Sequence, residues 1–504
     1  MNSIFTRFIF VLCMPCMFTL CCASTWCAQN NNHRLVILTD MGNEPDDSQT
    51  MVHLLLYANA IDIEGLISVT SRWLNPTRKP PKHRTYPELI TERVHAYGKV
   101  RPNLLKHAAG WPTEQELHDR IAAGQPGYGM DSVGEGKASP GSRLIMRVLE
   151  KPDPRPVYFA INAGSNTLAQ ALFDLQKTRS QAEMDIIRKK IRVYDDAGQD
   201  NAGAWITKNF PTLFYARSQS QVFSMYCGYE EKETQVKGPY TWEPYPRNAQ
   251  GQHAWAREHI QTGHGPLGAL YPDRFNGNGG LEGGGTTTWI GLVNKGLYHP
   301  DQITWGGWGG RFTAKKYKNV SARYQSHLEE PYQPFFMYKQ AKDQLTGEGI
   351  TGFTEWVDEY RNPEYNPLWK WRRGYMNDFI ARMDWCVKEF KEANHNPTAA
   401  FGKDQSDSII QKRVAPGETV SLDASHSTDP DGDGLSYQWF IYPDAGTRPY
   451  KNEIKIPNQT HAKTQFAIPQ DAHGCQIHLI LQVQDKNDTV PLMDYRRLVL
   501  NVNE

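Results

Sequence analysis

The stretch from Arg34 to Ala58 constrains this chain more than any other. Leu35-Val36-Ile37-Leu38 is a short apolar run with no polar alternation, the pattern of a strand buried on both faces of a parallel sheet. The polarity then reverses. Thr39 and Asp40 fall at the strand end, Gly42, Asn43 and Pro45 break it, and Met51, Leu54, Leu55 and Leu56 form an apolar face at helical spacing. A strand, a tight turn and a helix are therefore expected, with Asp40, Asp46 and Asp47 at their corner. Asp46 or Asp47 would cap such a helix in any protein, but Asp40 has no such role. Carboxylates crowded at a buried strand end repel one another unless they share a cation, and oxygen ligands suit a hard ion such as Ca²⁺. The residues alone leave open a metal or acid–base site and simple capping.

The same architecture recurs along the chain. Ile61–Val69 reads as a second strand, followed by Thr70-Ser71-Arg72-Trp73. Pro156–Ile161 reads as a third, turned by Asn162–Thr167 into a helix over Leu168–Leu175, and Ile191–Tyr194 runs into Asp195–Asn201 ahead of a helix from Ala204. Strands alternating with helices predict an α/β fold, a mostly parallel sheet flanked by helices, with ligands outside the carboxyl ends of the strands. The Gly-rich loop from Gly124 to Gly136 lacks the Lys-Ser/Thr ending of a phosphate cradle. His259 and His264 share no helix face and have no third N or S ligand nearby in the sequence, which argues against zinc. His264, on a loop, is a candidate general acid toward a leaving group. A helix over Asp378–Phe390, with Phe379, Met383, Val387 and Phe390 on one face, is expected to close the domain.

Asp40-Met-Gly-Asn-Glu-Pro-Asp46-Asp47 resembles the Asp-x-x-x-Asp-Asp cluster that follows the first strand of inosine-uridine nucleoside hydrolases, lengthened by two residues. With Trp305–Phe312, close to a Gly-Trp-Gly-Gly-Arg motif, the chain resembles a secreted nucleoside-hydrolase-like family described as cellulose-binding. The resemblance implies that Asp40 both ligates Ca²⁺ and activates water, with Asp46 and Asp47 as co-ligands and Asn166 near the position of a further oxygen donor. It implies substrate contacts for Arg72, which stands with Ser71 where the hydrolases carry Gly-Asn, and for Gln199, Asp200 and Asn201, whose amides and carboxylate suit vicinal hydroxyls. Asn43, in the acidic turn, His264 and Glu282 complete the expected substrate-binding set. In the family an aspartate follows the late Glu-Gly pair as a distal metal ligand. Here Gly284 stands in that place, so Glu282 would have to supply the oxygen, or the metal site is weakened, or catalysis is lost. The implied activity is Ca²⁺-assisted hydrolysis of N- or O-glycosyl bonds in a glycan or glycoside; the alternative is a non-catalytic carbohydrate binder of the cellulose type.

Lys plus Arg and Asp plus Glu each number 55, a balance that gives no electrostatic case for nucleic acid or an anionic membrane surface. Residues 1–28 read as an export signal, basic at Arg7 and apolar from Phe8 to Ala23, so a periplasmic, extracellular or cell-surface location is expected, with no membrane insertion once the signal is removed. Beyond it only Cys227, Cys386 and Cys475 remain, too few and too dispersed for a disulfide framework. The α/β domain is expected over 29–394. Asn394-His395-Asn396-Pro397 reads as a linker, and residues 398–504 as a small all-β immunoglobulin-like sandwich whose Asp429–Trp439 stretch resembles a PKD module. The expected partner is a carbohydrate or glycoside, and a homo-oligomer is compatible with all of these features.

Overall fold

The computed structural model describes residues 32–42, 45–74, 84–219, 256–272, 283–343, 364 and 366–504. The export signal, Asn43, Cys227 and Glu282 lie outside the described residues.

The Leu35–Leu38 run is the centre of β1 (His33–Thr39), and its side chains alternate between two separate cores. Leu35 and Ile37 join one cluster, Val36 and Leu38 the other, so both faces are covered as the absence of polar alternation requires. The chain continues through α1 (Asp46–Leu55), β2 (Ile61–Ser68), α2 (Pro87–His107), α3 (Glu114–His118), β3 (Ile121–Ala123) and α4 (Pro140–Glu150). It then returns across the sheet with β4 (Val157–Ile161), α5 (Asn166–Thr178), α6 (Gln181–Lys190), β5 (Ile191–Asp196), α7 (Ala202–Asn209), β6 (Phe214–Ser218), β7 (Phe312–Lys318) and β8 (Phe336–Gln340). The sheet has the order β3-β2-β1-β4-β5-β6-β8-β7, parallel throughout except where the edge strand β7 runs against β8. The order reverses between β1 and β4, and the crevice beyond those strand ends is where open α/β sheets place their ligands.

The C-terminal strands β9 (Ile410–Val414), β10 (Thr419–Asp423), β11 (Leu435–Ile441), β12 (Lys463–Ala467), β13 (Gln476–Asp485) and β14 (Met493–Val502) form a four-stranded sheet, β11-β13-β14-β9, and a β10-β12 pair. Trp439, Leu479, Leu481, Phe466 and Leu422 fill the space around them.

This β domain is packed onto the α/β domain rather than tethered to it. Phe440, Tyr442, Ile480, Met493 and Tyr495 belong to the same apolar cluster as α1 and α2. Arg497, fully buried, donates to the backbone oxygens of Leu297 at 2.7 Å and of Trp305 and Gly306 at 2.9 Å. The Trp305–Arg311 motif therefore lies at the junction, Trp305 edge-on to His478 and Trp308 edge-on to Tyr495. Its glycines are required there by close approach: a Cβ at Gly306 would lie 2.6 Å from the Tyr442 hydroxyl. The expected linker is clamped as well. Asn394 donates to Asp485 and to the Val490 carbonyl, both at 2.9 Å, and His395 stacks on Phe390.

One helix is displaced from its expected position. It spans Arg372–Asp384, burying Phe379 and Met383, whereas Val387 and Phe390 lie past its end and are largely exposed. The chain turns away after Asp384 because the Trp385 indole donates to the Asn394 carbonyl, and Phe390 finds His395 instead. The apolar spacing is real, but a turn divides it. Among the described residues no helix is long and apolar enough to cross a membrane.

Candidate active site at the strand ends

Asp40 follows β1 directly and is buried, its Oδ2 accepting the Ser71 hydroxyl from the end of β2. That same Ser71 Oγ accepts the Trp73 N–H at 2.8 Å, so one side chain holds Asp40 and fixes the turn that carries Arg72 and Trp73. Asp46 and Asp47 both lie in the first turn of α1, as the ordinary helix-start reading expects, but neither is its N-cap. The N-cap of α1 is Pro45, no side chain caps the helix, and the Asp47 carboxylate accepts the Thr39 hydroxyl instead. Burial holds the Asp47 carboxyl well above the usual carboxylate range, and the nearby charges of Asp40 and Asp46 push it further.

A fourth carboxylate joins them. β5 extends two residues beyond Tyr194, and strand alternation sends Asp195 and Asp196 to opposite faces. Asp195 is fully compensated: Arg217 Nε and the Tyr215 hydroxyl each donate to it at 2.8 Å, and the Gly198 N–H at 3.1 Å. Asp196, on the α1 face with Tyr194, is 5 % exposed, and among the described residues no hydrogen bond reaches its Oδ1. Burial raises its pKa well above normal, followed by the charges of Asp195, Asp46 and Asp40, with Arg323 opposing. At the ends of β4 and β5 two more buried polar atoms lack partners among the described residues, Asn162 Nδ2 and Gln199 Oε1, while Gln199 Nε2 donates to the Asn162 carbonyl at 2.5 Å.

The late Gly-Thr segment also comes to this corner. Thr286 Oγ1 donates to Thr50 Oγ1 of α1, and Thr288 Oγ1 to Asn162 Oδ1 at 2.8 Å. A Cβ at Gly285 would lie 2.1 Å from Asn162 Nδ2, so only glycine lets the segment close on the strand end.

The other sequence-derived candidates are placed as follows. Arg72 donates its N–H to the Gln199 carbonyl at 2.9 Å, and its guanidinium lies 4.7 Å from the Trp73 ring centre and 4.6 Å from that of Tyr324. Asp200 links two helix starts, accepting from Ser165 Oγ, the Asn166 N–H and the Ala202 N–H at 3.0 to 3.1 Å; burial pushes its pKa up to about 6, against those hydrogen bonds. Asn201 accepts the Met130 N–H at 2.9 Å and donates to the Leu328 carbonyl. Asn166 turns its side chain to the Gly127 carbonyl, at 2.8 Å. These three tie the Gly124–Gly136 loop and α7 to the sheet. His264 is not brought to the corner. It pairs with Asp384 at 3.1 Å, and a Cβ on the adjacent Gly265 would meet Val100, which lies about 20 Å along α2 from its N-terminal end.

Asp196 and Asn162 were missed by sequence reasoning although both lie in the strand-end runs. Counting alternation two residues further along β5 would have separated Asp195, shared with Arg217, from Asp196.

Among the described residues no three His, Cys, Asp or Glu side chains are grouped tightly enough to hold an ion as they stand. The donor set nonetheless fits a hard cation: it is all oxygen, Asp40, Asp47 and Asp196 are buried with Asp46 half-buried beside them, and Asp196 Oδ1 has no partner among the described residues.

Residues 34–312 match the family described as "Cellulose-binding Sde182, nucleoside hydrolase-like domain", and residues 419–502 match "Cellulose-binding protein Sde0182, C-terminal domain". A solved structure of a nucleoside hydrolase-related hypothetical protein from Saccharophagus degradans, described as associated with carbohydrate metabolism, is 37% identical, with a TM-score of 0.77 over 94% of this chain and 100% of that one. An endo-beta-1,4-mannanase from Thermotoga petrophila aligns at 10% identity over 91% of this chain and 83% of its own with a TM-score of 0.14, which carries no argument. No curated protein matches. The α/β sheet with its acidic switch point, the close relative and the two matched segments agree: this chain belongs to the Sde182 family, with a nucleoside-hydrolase-like domain followed by the family's C-terminal domain.

Proposed function

We propose that the strand-end corner is a cation-dependent carbohydrate site that hydrolyses N- or O-glycosidic bonds. The observation that carries this reading is the set of buried unpartnered atoms, Asn162 Nδ2, Asp196 Oδ1 and Gln199 Oε1, around Asp40 at the topological switch point. Leaving such atoms unpaired costs about 1–3 kcal/mol each, so their retention favours a polar ligand. A donor amide beside an acceptor amide is the pairing that adjacent sugar hydroxyls demand. Arg72, set between Trp73 and Tyr324, forms a flat half-exposed rim beside Gln199 at that corner, suited to a sugar face.

In this reading Asp40, Asp46 and Asp47 would hold the cation, Ca²⁺ by preference, which supplies positive charge and Lewis acidity at the corner. Asp40, oriented by Ser71, takes the proton of the attacking water. The carboxylates stabilise positive charge as it develops at the glycosyl carbon. His264 takes no part. The family description and the relative's association with carbohydrate metabolism support a saccharide, and the expected export signal favours an extracytoplasmic polymer or its fragments over a nucleoside.

The test is a panel of aryl glycosides, oligosaccharides and nucleosides assayed with Ca²⁺, alongside cellulose pull-down. Turnover lost in Asp40→Asn with retention on the polysaccharide intact supports the hydrolase. Retention with no sugar released from any substrate by the wild type would replace it with a binding protein.

A further inference from the structure

We infer that Asp196 is a cation-binding carboxylate of this corner, the donor that completes it from the β5 side. This rests on the cation-dependent reading above and extends it to a residue outside the Asp40, Asp46 and Asp47 set. The argument is a contrast between neighbours. Asp195 and Asp196 are both buried at the end of one strand, yet only Asp195 has a guanidinium, a phenol and a backbone amide around it. Arg217 is itself shared between Asp195 and Glu329, so it compensates charge on the opposite face.

Among the described residues Arg323 is the positive charge that opposes the burial of Asp196, and its Nη1 donates to the Gln219 carbonyl at 3.0 Å. Burying a carboxylate without a paired charge is costly enough that such groups are found with metals or ion partners. Among the described residues no donor reaches Asp196 Oδ1. The Gly284–Thr288 turn contacts β4, β5 and α1, the helix that carries Asp46 and Asp47, on this side of the sheet. A hard cation shared with Asp40 and Asp46 satisfies that acceptor and neutralises the cluster in one step.

The test is calorimetric titration of the full-length chain with CaCl₂, for wild type, Asp196→Asn and Asp196→Ser, with thermal unfolding of each with and without Ca²⁺. The expected result is Ca²⁺ affinity at least tenfold weaker in both variants, an unfolding midpoint without Ca²⁺ no lower than wild type, and a smaller rise in midpoint on adding Ca²⁺. A purely structural Asp196 would instead lower the midpoint and leave Ca²⁺ affinity unchanged, which would overturn the inference while leaving the corner as a cation site. Failure of both variants to fold would overturn it likewise. A wild type that takes up no Ca²⁺ would remove the corner's cation reading, and the inference with it.

Discussion

Replacing Arg217 with methionine removes the charge that makes the β5 end possible. The guanidinium is fully buried and donates at 2.8 Å to Asp195, to Glu329 and to the Val320 carbonyl. Its loss leaves two carboxylates in the interior with weaker donors: the Tyr215 hydroxyl and Gly198 N–H for Asp195, and the Ala322 N–H, at 2.8 Å, for Glu329. Breaking a buried pair by removing one partner costs about 3–5 kcal/mol. The residual donors argue for the lower half of that range, so we expect a loss of about 3–4 kcal/mol in urea unfolding at pH 7. A loss under about 1 kcal/mol would refute the reasoning.

Other perturbations follow from the same contacts. Asp200 is pushed up to about 6, so the stability it contributes is whole below the usual 3.8 and is lost as pH rises through 6. Asp200→Asn should flatten a change of about 3 kcal/mol across that window, read by chemical unfolding at a series of pH values. Gly285→Ala drives a methyl into the Asn162 amide and should cost about 1–3 kcal/mol in unfolding, and sugar affinity along with it. Ser71→Ala removes the donor to Asp40 and the acceptor for the Trp73 N–H, and should lower stability by about 1–2 kcal/mol while reducing kcat more than it raises KM.

Much of the fold was legible because its strands are buried on both faces. Leu35–Leu38 and Val157–Ile161 carry no polar alternation, and β11 begins and ends at the expected residues, Leu435 and Ile441. The acidic corner was legible for the same reason: a carboxylate has no ordinary business at the end of a buried strand. What the sequence hid was shared ownership. Alternation along β5 puts Asp195 and Asp196 on opposite faces, but the Arg217–Glu329 network that compensates Asp195 lies more than twenty residues along the chain, where no local pattern shows it. Gln199, Asp200 and Asn201 looked like one binding run, but a turn directs Asp200 to helix ends and Asn201 to the Met130 loop. The tryptophans of the Trp305–Arg311 motif stack at a domain junction, because β14 supplies aromatic and arginine partners nearly two hundred residues away that no local pattern reveals.

The measurement that bears most directly on the site is kcat for wild type and Asp40→Asn on whichever glycoside the wild type cleaves, with the fold of the variant checked by its unfolding transition. Loss of the general base predicts a fall of about 10²–10⁴ with the transition preserved. A variant within about tenfold of wild type would contradict the account, since a positioned base contributes at least a hundredfold.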